Sequence, residues 1–266
     1  MEEKESIKSS IKEEHETVKQ KLRTAFSLSE DAASNEEIRS RLLDGGRVTG
    51  TNLCVLVCAM VIASVGLNVS STAVIIGAML ISPIMGSILA SAYGNVSGNY
   101  NQLRNNMIGF GMQIAISVCA ATVYFFLSPV KEPTAELIAR TSPSFFDVLI
   151  AFFGGIAGII GQTRDDKTNT VIPGVAIATA LMPPLCTCGY SIANGRWDML
   201  LGAGYLFVIN AYFIFLAACI ILIILRIPKT TELTEKQWRR YLLRMVRNTL
   251  IVAIPSIVGV YYFYLL

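Results

Sequence analysis

Charge is scarce in this sequence and nearly missing from its middle. Only 15% of the 266 residues are Asp, Glu, Lys or Arg, and 11 of the 19 acidic residues precede Gly50. A soluble domain spreads charge over its whole surface, so a soluble fold is excluded for the stretch from Gly50 to Leu225. Histidine is almost absent: His15 stands alone in the hydrophilic N-terminal tail. Cys186-Thr187-Cys188 is not a zinc spacing, and neither a Gly-rich phosphate loop nor a Ser/His/Asp set can be assembled. No enzyme, metal or cofactor is therefore expected. The net charge of +3 is too small to point to a nucleic-acid partner. The first 50 residues lack the apolar segment of a cleavable signal peptide, so the tail is expected to stay on the protein.

Long apolar runs are what the sequence has instead. A hydrocarbon core of about 30 Å needs about 20 apolar residues per helical crossing. Six runs meet that test: Thr51 to Asn68, Ala73 to Gly94, Met107 to Leu127, Phe145 to Gly161, Val171 to Ala193 and Met199 to Leu225. A seventh, Thr249 to Leu266, is rich in tyrosine and is read as a span with an aromatic belt. The fold class expected is all-α integral membrane, with six to seven transmembrane helices. Of the 22 Lys and Arg residues, 19 fall on one side of the alternating segments and 3 on the other. The positive-inside rule then puts the N-terminus in the cytoplasm of a cell whose inner membrane holds the protein. Six cysteines all fall within runs, where thiols serve as small packing residues.

Four regions follow from this pattern. Residues 1–49 form a cytoplasmic helical tail, 50–226 the transmembrane domain, 227–248 a basic interfacial segment and 249–266 the seventh helix. In the tail, Ile7, Ile11, Val18 and Leu22 give a weak amphipathic pattern. Ser34-Asn35-Glu36-Glu37 is a helix start and Gly45-Gly46 a stop, so a short helix is expected between them. Trp238 to Arg247 alternates basic and aromatic residues at helical spacing, as a helix on an anionic membrane surface would.

Sliding the chain against itself by 101 residues places the second run on the fifth. Asn68 then meets Asn169, Leu80 meets Leu181, Pro83 meets Pro184 and Gly94 meets Gly195. An internal repeat is expected, residues 50–127 against 145–226, with three spans each. An odd number of crossings turns the second copy upside down. Inverted repeats with corresponding broken helices point to a transporter whose site lies near the bilayer midplane.

The breaks are prolines. Ser82-Pro83 interrupts the second run and Met182-Pro183-Pro184 the fifth. Proline has no N–H and its ring meets the carbonyl four residues back, at a cost of about 3 kcal/mol inside a helix. In lipid such a break is tolerated only where protein groups or a wet cavity satisfy the freed backbone. Ser82 fits an N-cap followed by Pro83 at the first helical position, and Pro184 would start a second half-helix. Two positive helix ends facing the midplane suit an anion. The candidate substrate-binding residues are Ser82, Pro83, Ser87, Thr179, Pro183, Pro184 and Thr187, with Ser91 as a further lining residue. The plainer alternative is that the prolines only kink packed helices and that the hydroxyls bond their own backbone.

No Asp, Glu, Lys, Arg or His lies in the middle of any run, which speaks against a buried proton relay. Gln162 to Lys167 is a charged loop that is either solvated or a gate. Gly154, Gly155, Gly158 and Gly161 form a face for close helix packing, within the chain or between copies. A homo-oligomer is the expected state, a lipid bilayer and a small solute or ion the expected partners.

Two stretches resemble the hallmarks of a bacterial multi-span membrane family, domain-of-unknown-function family 389. They are Met79-Leu80-Ile81-Ser82-Pro83-Ile84-Met85-Gly86 and the longer Pro173 to Cys186, with Ser142-Pro143, Asp147 to Ala151 and Gly154 to Gly158 between them. Ser87 stands where many members carry proline. The resemblance covers roughly Thr51 to Leu225 and implies the architecture without naming a substrate. The function expected is an inner-membrane solute transporter or channel, with a midplane site for an anionic or small polar solute. A non-transporting scaffold or sensor working through the tail is the alternative.

Overall fold

The computed structural model describes residues 32–165, 181–229, 243, 246–251 and 254. Among these, all regular structure is helical apart from one isolated bridge between Ala32 and Arg164. The first helix, α1 (Asn35–Gly45), forms where its capping residues stand. Ser34 Oγ accepts the Glu37 N–H at 3.3 Å, and at the far end the Gly46 N–H returns to the carbonyls of Leu42 and Asp44. Ile38 and Leu42, one turn apart, bury the same face.

The membrane-length helices are α2 (Gly50–Asn68), α5 (Tyr100–Leu127), α7 (Phe145–Thr163) and α9 (Trp197–Ile224), four that are long and apolar enough to cross a bilayer. Between α2 and α5 lie α3 (Thr72–Ile81) and α4 (Ile84–Val96), which are bent by 45° at Ser82-Pro83 and are long and apolar enough for a fifth crossing when the pair is counted as one span. The short α6 (Ala135–Ala139) follows α5, and α8 (Met182–Ala193) precedes α9. Phe126, Phe146, Phe153 and Leu201 are among the large apolar side chains left open on the outside. Such a surface is stable against lipid tails and not against water, and the chain is a membrane protein.

Of the six runs read from sequence, the first, third, fourth and sixth are single helices and the second is the bent pair. The fifth is described only from Leu181. The tail pattern of Ile7 to Leu22 lies outside the described residues, as does nearly all of Trp238 to Arg247 and of the seventh run.

Hydrogen bonds sort the loops into two faces. On the face that carries α1, Ala33 N–H donates to Thr163 O at 2.8 Å, and Arg41 donates to Arg164 O while pairing with Glu37. The charged loop after α7 thus anchors the segment that leads into α1. On the opposite face, Asn68 Nδ2 donates to Ser128 Oγ at 2.8 Å, Thr134 Oγ to Leu67 O at 2.8 Å, and Tyr190 OH to Lys131 O at 2.5 Å. These bonds tie the ends of α2, α5 and α8 together.

Gly155 of α7 packs against a helix of the same chain. A Cβ on Gly155 would stand 2.8 Å from Ile214 Cα, so the backbones of α7 and α9 touch there. Gly154 and Gly158 are buried as well.

Candidate functional site

The first break forms as the chemistry of proline requires. Ser82, pushed out of the helical region by the ring that follows it, takes φ −75° and ψ 130°. Its N–H closes α3 with a tight turn to Met79 O at 3.4 Å. The second half-helix starts one residue later than the sequence implies. Pro83 itself occupies the cap position, and Ser82 Oγ reaches only to the Ile84 N–H at 3.5 Å. Proline fixes its own φ near the helical value, so it can lead the turn without a side-chain cap. Ser82 and Pro83 are half-buried, whereas Ser87, one turn into α4, is fully buried.

At the second pair of prolines the shift is opposite: α8 begins at Met182 with Pro183 and Pro184 in its first turn, ahead of the expected Pro184. Both prolines and Thr187 are buried. Thr179 lies outside the described residues. Two of the candidate hydroxyls bond their own helix: Thr187 donates to Pro183 O at 2.9 Å and Ser91 to Ser87 O at 2.7 Å. Ser87 is different, because its Oγ donates to Gln113 Oε1 on α5 at 2.9 Å.

The two half-helices α4 and α8 share no extensive contact, so Pro83 and Ser87 are not brought against Pro184 and Thr187. What joins them is that both pack on α5 and α9. Along α5, Ser87 lies opposite Gln113 and Gly94 opposite Leu103, so α4 runs antiparallel to the first half of α5. Gly189 lies against Ala121 and the Tyr190 ring against Phe125, so α8 runs parallel to the second half. Counting back at about 1.5 Å per residue, both helices start level with Gln113 to Ser117. Along α9, Cys219 touches Ala92 and Gly204 touches Cys188, and the same count puts both starts level with Asn210. The half-helices therefore lie head to head, running away from each other along α5 and α9.

At that level the bundle is polar inside. Gln113, Ser117, Ser87 and Ser64 are 0% exposed and Asn210 is 4% exposed. Ser64 faces the Cys186 thiol in the first turn of α8, and that thiol also meets Met60 O at 3.8 Å. Gln113 Nε2 and Ser117 Oγ make no hydrogen bond among the described residues. A buried amide N–H without a partner costs about 1–3 kcal/mol. Each helix start adds about half a positive charge. Donors and positive ends thus converge on one level, with no carboxylate among them. Three clefts elsewhere in the bundle are not lined by the sequence-predicted residues other than Ser91.

Gln113, Ser117 and Asn210 were missed by sequence reasoning, which followed prolines and hydroxyls. The signal was present, since Gln113 is the one side-chain amide in the run from Met107 to Leu127. An amide in mid-span is costly to bury and is kept for a partner or a task.

Residues 79–216, more than half of the chain, match the model of a family described as a domain of unknown function, DUF389. The chain belongs to this family. The DUF389 match begins at Met79, just before the first break, and includes the start of α8. The chain is also 24% identical over 186 residues to an uncharacterized protein of the archaeon Methanocaldococcus jannaschii, an alignment covering 70% of this chain. The chain spans 58% of the length of that relative, which also extends the resemblance beyond bacteria. No solved structure matches the DUF389 chain.

Proposed function

We propose that the protein is a membrane transporter or channel for a small anion, with its site where α4 and α8 start head to head beside Gln113 and Ser117. The observation that carries this reading is the convergence of two half-helix N-termini on a buried amide whose Nε2 donor has no partner among the described residues. Two positive helix ends placed face to head in lipid repel each other, and an anion between them reverses the sign of that interaction. The site would consist of the backbone of Pro83 to Ser87, the backbone of the first turn of α8 from Pro183 to Thr187, and the Gln113 amide. Ser82 and Thr179 complete the set expected from sequence.

Matching features of the two halves support reading the chain as an inverted repeat with three spans per unit. α2 and α7 are each 19 residues long, and α5 and α9 are each 28. Left-handed Gly98 (φ 74°) precedes α5 as Gly195 (φ 68°) precedes α9. At an offset of 100, one residue less than the register that sets Pro83 on Pro184, Pro83, Ser87 and Ser91 are spaced as are Pro183, Thr187 and Ser191, with the same hydroxyl-to-carbonyl bond of 2.7 Å from the last to the middle residue. On this reading residues 50–226 are the transport domain with six spans, 249–266 a seventh, and 227–248 a basic interfacial segment. The N-terminus is cytoplasmic, the membrane is the cell membrane, and the chain works as a homo-oligomer.

The test is flux from liposomes loaded in turn with chloride, nitrate, formate and acetate salts, with Na⁺ and K⁺ as cation controls. The reading expects anion-dependent flux in wild type and its loss in Gln113→Leu and Pro83→Ala variants that still melt cooperatively. Cation flux, or no flux from folded protein, would defeat it and favour a scaffold role for the tail.

A further inference from the structure

A second polar site lies at the other end of the bundle, on the face that carries α1. A cleft of about 320 Å³ opens between α1, the turn joining α4 to α5, and the segment after α9. That volume falls within the range of about 300–1,000 Å³ usual for small-ligand sites. Arg39, Glu36, Tyr93, Gln102 and Lys229 line it, with Asn99 at the N-cap of α5.

Three features give this cleft a chemistry. Glu36 and Arg39 stand three residues apart on α1 and face the same space, yet the ion pairs of α1 run elsewhere, from Arg41 to Glu37 and from Arg47 to Asp44. A carboxylate and a guanidinium are therefore both left open to the cleft. Tyr93 is only 8% exposed, its phenol makes no hydrogen bond among the described residues, and the Arg39 guanidinium is its electrostatic neighbour. The start of α5 adds partial positive charge. With one guanidinium and one carboxylate open to it, the lining matches a ligand that carries one anionic and one cationic group.

The depth of the cleft fits a membrane surface. α5 starts and α9 ends at its rim, Tyr100 beside it is 64% exposed, and Lys229 follows the end of α9 by five residues. Lipid headgroups lie at the ends of spans, where aromatic and basic residues gather.

We infer that this cleft binds a zwitterionic phosphodiester of the phosphoethanolamine type, its phosphate on Arg39 and Tyr93 and its ammonium on Glu36. The guanidinium offers the paired donors that a phosphate accepts, and Glu36 discriminates a primary ammonium from a neutral polyol. This site is separate from the proposed transport site and does not depend on it.

Native mass spectrometry of the full chain in detergent, supplemented with phosphatidylethanolamine, phosphatidylglycerol or phosphatidylcholine, tests the inference. Wild type should retain phosphatidylethanolamine over the other two. Arg39→Gln should cut that retention at least about tenfold, the loss of one charge-assisted pair. Glu36→Gln should keep phospholipid binding and shift preference to phosphatidylglycerol. Both positions are exposed on α1, and Arg47→Gln, just past the other end of that helix and outside the cleft, serves as a charge control. Soluble glycerophosphoethanolamine distinguishes the sources: displacement of bound lipid assigns recognition to the headgroup, and retention against it assigns the site to a bilayer lipid. Equal retention of all three lipids, no retention, or an Arg39→Gln variant that binds as wild type would overturn the proposal.

Discussion

Ser87 Oγ donates to Gln113 Oε1 at 2.9 Å, and both residues are 0% exposed. This bond ties the first turn of the half-helix after the proline break to the centre of α5. The other end of the amide, Nε2, is left without a partner among the described residues.

Replacing Gln113 with Leu removes the bond and the unpartnered donor together. The two effects oppose each other, since a buried hydrogen bond contributes about 1 kcal/mol and an unpaired buried donor costs about 1–3 kcal/mol. The melting temperature should therefore stay within a few degrees of wild type, as thermal denaturation followed by tryptophan fluorescence will show. Anion flux should fall at least about tenfold, the worth of one hydrogen bond to a charged group.

Thr187 and Ser87 hold equivalent places after their prolines and should respond differently. Thr187→Val loses only a bond to its own helix backbone, at Pro183 O, and flux should be unchanged. Ser87→Ala frees the Gln113 amide to turn, and flux should fall. Parallel flux measurements on the two variants check this, and equal effects would contradict the assignment of Gln113.

Gly86 separates packing from the break. A Cβ there would stand 2.1 Å from Gly45 O, where nothing flexible can give way, so Gly86→Ala should push α1 off α4 and cost about 1–3 kcal/mol. Tryptic cleavage at Arg39, Arg41 and Arg47 should speed up in that variant. Gly77→Ala, at a site with nothing within 4 Å, should leave cleavage and melting as they are.

Pro83→Ala should restore the backbone N–H and favour a continuous helix by about 3 kcal/mol in local propensity. The surrounding helices are packed around a 45° bend, so the gain is offset by strain. Near-wild-type melting with lost flux is expected, and unchanged flux would show that the bend is only a packing feature.

Flux should not vary between about pH 5 and 8, the range over which a histidine changes charge. The residues placed at the meeting level are Ser64, Ser87, Gln113, Ser117 and Asn210, none of which titrates there. A pH-dependent flux in symmetric buffers would point to a proton carrier elsewhere.

The amino-acid sequence by itself determined the membrane class, the positions of the described spans, the capped helix from Asn35 to Gly45, the first proline break and the prolines in the first turn of α8. These are local properties: apolar length, an N-cap serine and a missing N–H act on the few residues around them. It did not determine which half-helices meet, since α4 and α8 touch mainly through α5 and α9 rather than each other. It also left Gln113 and Asn210 unremarked, because whether an amide faces lipid or core depends on the rotation of α5 and α9 set by their neighbours. The cleft of Glu36, Arg39, Tyr93 and Lys229 joins residues as much as 193 positions apart. Only tertiary packing, where close backbone contacts such as Gly86 on Gly45 fix how α1 lies on α4, decided that placement.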